Sequence, residues 1–222
     1  MLARGRASVI AAAAVAFIAL ALAVHAGWFR ELDLAFALAL HNSANPFLDP
    51  IATALSIAFA FEAVTIYTAI TGLLLWRHGA GVWSLAPFTF LALTAVELAF
   101  KLSLPTDPIP LELHRGVFYP LTEVTFPGSF PSGHALRIGF IGMAAASWIW
   151  VQRSTARGLV SVVIAVITIV FALSRVYLGV HWLSDVLGGL VLGGAAGVLI
   201  AQSVSSTLAR QQSTVEEPAS RH

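Results

Sequence analysis

The sequence predicts an all-α membrane protein, a polytopic bundle of about six transmembrane helices with an interfacial helix and a long outward loop, and three observations predict it. Of 222 residues, 58% are hydrophobic and only 10% charged, with a mean hydropathy of +0.86, whereas a soluble domain carries about 25% charged residues. Six stretches are apolar enough to cross a bilayer and approach the roughly 20 residues that a spanning helix needs. Finally, Arg4, Arg6, Arg77, Arg153, Arg157, Arg210 and Arg221 all fall on one side of such a bundle. The positive-inside rule makes that side, with both termini, cytoplasmic in an inner or plasma membrane. The net charge of +1 without any basic block gives no sign of a nucleic-acid partner. With no cysteine, disulfides and thiolate metal ligands are excluded.

The first span is expected over residues 8–25. Arg4, Arg6 and the apolar run that follows have the pattern of a signal sequence, but the run continues to Val24, and His25-Ala-Gly-Trp-Phe-Arg30 reads as an interface border. An uncleaved span is therefore expected, with cleavage after Ala-Val-His-Ala near residue 26 as the alternative. Trp28–His41 places its charges early and its apolar residues late, the pattern of a helix lying in the interface and too short to span. Asn42–Pro46 then breaks the chain.

Spans follow over 50–75 and 82–103. The loop from Leu104 to Phe130 holds five of the ten prolines, which argues against a regular helix. Its length suits a lid or one wall of a site better than a slack connector. Three further spans are expected over 133–151, 158–174 and 184–204, so that residues 1–210 form a single membrane domain and 211–222 a polar tail. Lys101, Arg137 and Arg175 interrupt the apolar pattern at or inside span ends and need a chemical reason.

Ser174–Asp185 gathers a cation, an imidazole and a carboxylate between two apolar runs. His181 and Asp185 are four apart, so a helix beginning near His181 puts them on one face, where the carboxylate can hold the proton of one ring nitrogen. The other nitrogen is left as a nucleophile or base. Arg175 supplies a fork of donors for a phosphate or carboxylate. A second half-site begins at Pro131-Ser-Gly-His134, at the start of the fourth span. There Gly133 permits close approach of an anion, Ser132 offers a hydroxyl, and the first free amides of the helix point outward. Separately, a histidine at a membrane border or an aspartate in a first helical turn is commonly structural. Together they describe an anion site with two imidazoles.

Pro131-Ser-Gly-His134, followed by Ser174-Arg175, five residues, His181, three residues and Asp185, resembles the second and third signature motifs of the type 2 phosphatidic acid phosphatase family. These are integral-membrane lipid phosphatases whose core is shared with vanadium haloperoxidases; the likeness covers about residues 97–200. It implies that His181 attacks phosphorus to give a phosphohistidine, that Asp185 orients His181, and that His134 protonates the leaving group and then helps activate water. Lys101, Ser132, the Gly133 amide and Arg175 are implied as phosphoryl ligands, the substrate is a membrane lipid phosphate, and no metal or cofactor is required. The family's first motif, Lys, six residues, Arg-Pro, is half present: Lys101 fits, but Pro108 and Ile109 stand where Arg-Pro belongs. Arg137, three residues after His134, is the expected replacement, with Arg115 as the alternative. Arg137 could instead pair with Glu62 or Glu97, since a lone arginine in a span costs about 2.5–3.5 kcal/mol. A lipid phosphotransferase, and a non-catalytic lipid-binding scaffold or transporter, are the competing functions.

Overall fold

A computed structural model describes residues 2–115, 126–151 and 155–216, with side chains described from residue 7 to residue 205 of these. Among the described residues every regular element is helical: α1 Leu2–His25, α2 Arg30–Asn42, α3 Leu48–Ala58, α4 Phe61–Arg77, α5 Thr89–Ser103, α6 Gly133–Val151, α7 Arg157–Tyr177 and α8 Leu183–Glu216, with short 3₁₀ segments at Gly81–Phe88 and Leu111–Leu113. Among the described residues five helical stretches pass the length and hydropathy needed to cross a membrane, and α3 and α4 together make a sixth that is bent by 54°. Each of the six expected spans thus has a helical counterpart long and apolar enough to cross, the second only as the bent pair. Leu73, Leu74, Val162, Val166, Ile169 and Val170 are exposed on α4 and α7, as the lipid-facing side of a bundle requires.

The span expected over 50–75 differs in being broken at Phe59-Ala60. The 82–103 span begins as a 3₁₀ segment that contains Pro87 and becomes α-helical at Thr89. α8 continues through Glu216, into the polar stretch that starts at residue 211; residues 217–222 lie outside the described residues.

The centre of the bundle is the α6–α8 pair, brought together by small residues at four-residue spacing on α8. A Cβ at Gly189, Gly193 or Gly197 would lie 2.4, 1.9 and 2.3 Å from the carbonyl oxygens of Ser132, Leu136 and Phe140. Only hydrogen fits there, so the two backbones touch along three turns, the packing that membrane helices favour when the hydrophobic effect cannot drive association. The start of α8 is thereby fixed against the start of α6, and the Ser132 amide donates to the Asp185 carbonyl at 2.9 Å.

The interfacial helix lies where the sequence places it and pins the same end of the bundle. Its buried Asp33 accepts from both the amide and the hydroxyl of Ser184, at 2.8 and 2.7 Å. Gly179, at φ +68, turns the chain out of α7, and a side chain there would strike the Leu113 carbonyl. The described ends of the long loop are likewise held. Gly128 donates to the Lys101 carbonyl at 3.0 Å, and the Trp182 indole donates to the Asp107 carbonyl at 2.9 Å. The loop is therefore a wall against the chain between α7 and α8 at its first described end, while its second is tied to the end of α5. Its middle, with Glu123, lies outside the described residues.

Candidate active site

Asp185 is fully buried in the first turn of α8. Its Oδ2 accepts from the Trp182 amide at 3.0 Å and lies 3.2 Å from His181 Nδ1. This is a helix-start geometry in which an acidic side chain reaches back to an amide ahead of the helix. The reason for the contact differs from the expected one: α8 begins at Leu183, so His181 precedes the helix and is folded over its start. A carboxylate only accepts, so Nδ1 carries the imidazole proton and Nε2 keeps its lone pair.

Burial holds the His181 imidazole below its ordinary value of 6.5, the contact with Asp185 partly offsets this, and nearby Lys101 and Arg175 add to the depression. His181 is accordingly neutral at pH 7, and its free-base form is lost only as pH falls through a value below 6.5. If His181 is the nucleophile, the acid limb of kcat/KM lies below pH 6.5. Asp185→Asn removes the influence that raises this value, so the limb moves to lower pH while kcat falls through loss of ring orientation. A limb that stays in place would detach the titration from His181.

His134 stands one residue into α6. Its Nε2 lies 3.1 Å from the Ser56 carbonyl, and Arg137 Nη2 approaches its Nδ1 at 3.4 Å. Carbonyls accept and guanidinium groups donate, so the proton is on Nε2. Arg137 Nε also donates to the Phe59 carbonyl at 2.9 Å. Arg175 is buried at the end of α7, donates to the Ser56 hydroxyl through Nη1, and has no hydrogen-bond partner at Nε. Two cations, Arg175 and Arg137, and the second imidazole, His181, all lie close enough to His134 to act on it electrostatically. The break between α3 and α4 explains how one span reaches three of these groups. Ala60 bonds to Ile57, leaving the Ser56 carbonyl outside the helical ladder and free to face the site.

Lys101, at the end of α5, pairs with Glu97 at 2.8 Å, and Arg137 Nη1 lies 3.8 Å from the other Glu97 oxygen. The ion pair considered for Arg137 thus forms with Glu97, while Arg137 also contacts His134. Arg115 is placed elsewhere: it donates to the His41 carbonyl at 3.3 Å and faces Asp49 at 3.6 Å. Pro108, in the place of the missing motif arginine, is exposed. Ser132 is buried and caps α6, its hydroxyl 3.4 Å from the Ala135 amide, so its local role is to start that helix. Among the described residues, no three His, Asp or Glu side chains converge in the manner of a metal site.

Two imidazoles, one oriented by a buried carboxylate, thus stand with three cations at the same end of α5, α6 and α7. Residues 103–207 match the PAP2 superfamily. The match covers a little under half of the chain. All the expected site residues except Lys101 lie within it. The chain is 38% identical to phosphatidylglycerophosphatase B of Bacillus subtilis over 87 residues, 37% of this chain and 42% of that protein. It is 43% identical over 76 residues, 34% of each chain, to YbjG of Escherichia coli, which is named as an undecaprenyl-diphosphatase. It therefore matches less than half the length of either relative. Among solved structures, a transmembrane PAP2-type phosphatidylglycerolphosphate phosphatase from Bacillus subtilis superposes with a TM-score of 0.69 at 24% identity, over 90% of this chain and 96% of that one. LpxE of Aquifex aeolicus superposes at 0.54 and 17% identity, over 77% and 95%. These likenesses bear out the all-helical membrane fold.

Proposed function

We propose that the protein hydrolyses a lipid phosphomonoester or diphosphate at the outer membrane face through a phosphohistidine. The observation that carries this reading is Arg175. It is a buried guanidinium with a free Nε and no carboxylate partner among the described residues, set beside Arg137 and both imidazoles. An uncompensated buried charge costs several kcal/mol, so its retention there points to an anion supplied from outside. The names of the two sequence relatives, one a phosphatidylglycerophosphatase and one an undecaprenyl-diphosphatase, support a lipid phosphate as that anion.

In this reading, the phosphoryl oxygens engage Arg175, Lys101 and Arg137, which stabilise the charge that develops in transfer. Drawing Arg137 toward phosphate frees His134 Nδ1 to take a proton. His181 Nε2 forms a bond to phosphorus as the bond to the ester oxygen breaks, and His134 passes its Nε2 proton to that oxygen. His134 then keeps its Nδ1 proton, and its bare Nε2 removes a proton from water. The resulting hydroxide attacks phosphorus, His181 leaves, orthophosphate is released, and the imidazolium of His134 is restored. Asp185 stabilises His181 while that ring carries positive charge.

With both termini cytoplasmic, the site lies at the outer interface and the lipid chains stay in the bilayer. The test is phosphate release in detergent from phosphatidylglycerophosphate, phosphatidic acid and a polyprenyl diphosphate, with and without a chelator. Release that persists in chelator is expected. Loss on chelation would overturn the metal-free reading, and release only when an acceptor lipid is added would make the protein a phosphotransferase. No release from any of them would favour a non-catalytic scaffold.

A further inference from the structure

The phosphate cradle expected from Lys101, Gly133 and Arg137 already contains an anion, the carboxylate of Glu97. Glu97 is 5% exposed. One of its oxygens lies 2.8 Å from Lys101 Nζ, and the other is 3.8 Å from Arg137 Nη1 with no hydrogen-bond partner. The group is pressed against the first residue of α6. A Cβ built on Gly133 would fall 2.1 Å from Oε1 and 2.5 Å from both Cδ and Oε2. Gly133, read from the sequence as the residue that lets a ligand approach the helix start, is here the residue that lets Glu97 approach it.

We propose that Glu97 is an internal competitor for the phosphoryl group: its carboxylate holds the cations that an incoming phosphate must take over, and it re-enters when orthophosphate leaves. A resident anion has a specific thermodynamic signature. Every external anion must displace it at the same cost, whether that anion is the lipid headgroup or the product, so Glu97 weakens both by one common factor. This is uniform binding in reverse, which raises KM and weakens product inhibition together without altering the chemical step. A carboxylate suits the task because it is one charge poorer than a phosphomonoester dianion, so the substrate can outbid it at two cations. The free Oε2 is consistent with a group that is held in place loosely enough to leave.

The test is orthophosphate binding to the full-length protein in detergent, measured at equilibrium for wild type, Glu97→Gln and Glu97→Asp. The glutamine keeps the volume and removes the charge. The aspartate keeps a partner for Lys101 but withdraws the carboxylate from Gly133 by one methylene. A Kd for orthophosphate at least tenfold lower is expected for the glutamine variant, with a smaller fall for the aspartate. In turnover, KM is expected to fall by the same factor as the inhibition constant of orthophosphate. The inference is overturned if orthophosphate binds no more tightly in any variant that folds, which is what a purely structural partner of Lys101 would give; should the glutamine variant fail to fold, the aspartate decides. The turnover part rests on the lipid-phosphatase reading, but the binding part does not. An absence of phosphate release from every lipid therefore removes that reading and leaves the orthophosphate comparison to judge Glu97.

Discussion

Replacing His181 by alanine is expected to lower phosphate release by about 10⁴-fold or more, the scale on which loss of a nucleophile is felt when the remaining site still binds substrate. The argument is geometric. Asp185 fixes the Nδ1 proton at 3.2 Å, which leaves His181 Nε2 unprotonated, whereas His134 carries its proton on Nε2 and its bare Nδ1 is occupied by the Arg137 guanidinium. KM is expected to change less than about threefold, because the proposed phosphoryl ligands are Lys101, Arg137 and Arg175 rather than the imidazole. Rapid acid or base quenching of wild type during turnover with a ³²P-labelled lipid distinguishes the covalent route, since a phosphohistidine survives base and is lost in acid. An alanine variant that retains even a tenth of the wild-type rate would remove His181 from the nucleophile's role. Label retained in the alanine variant would place the covalent group on another residue.

Much of this arrangement was legible in the chain, for reasons that differ by residue. The six spans follow from apolar runs in a charge-poor sequence, and the Trp28–His41 helix follows from charge at its start and apolar residues after it. The break between α3 and α4 was not legible, because Ala58-Phe59-Ala60-Phe61 contains no glycine or proline to mark it. Its consequence was equally hidden: Ser56 is one small polar residue in an apolar span, and nothing local says that its carbonyl and hydroxyl meet His134 and Arg175. Glu97 was half visible. Its spacing from Lys101 implies the ion pair, but its contact with Gly133 depends on how α5 lies across the start of α6. The His181–Asp185 pairing was anticipated from helical spacing, yet it arises from a turn preceding the helix, so the same contact has a different local cause. The glycines at 189, 193 and 197 carried a spacing signal of their own, that of a close helix–helix contact.

The place of the missing motif arginine gives the other large expected effect. Arg137→Ala is expected to reduce kcat/KM by about 100-fold to 1,000-fold, the range for loss of a charged group that acts on the transferring phosphoryl. Arg115→Ala is expected to change it less than about threefold, because Arg115 is bound to the His41 carbonyl and faces Asp49. Arg137 occupies a position from which it serves three groups: the Phe59 carbonyl, Glu97 and His134. The alanine variant therefore loses stability as well, by about 3 kcal/mol if Glu97 is left with Lys101 alone. Arg137→Lys separates the two effects. A lysine can restore a charge near Glu97 but not the fork that reaches the Phe59 carbonyl and His134 together. Recovery of the melting temperature without recovery of kcat/KM would show that the guanidinium acts on the substrate and on His134. Recovery of both would reduce Arg137 to a buried counter-ion for Glu97, and full turnover in the folded alanine variant would return the question to the loop.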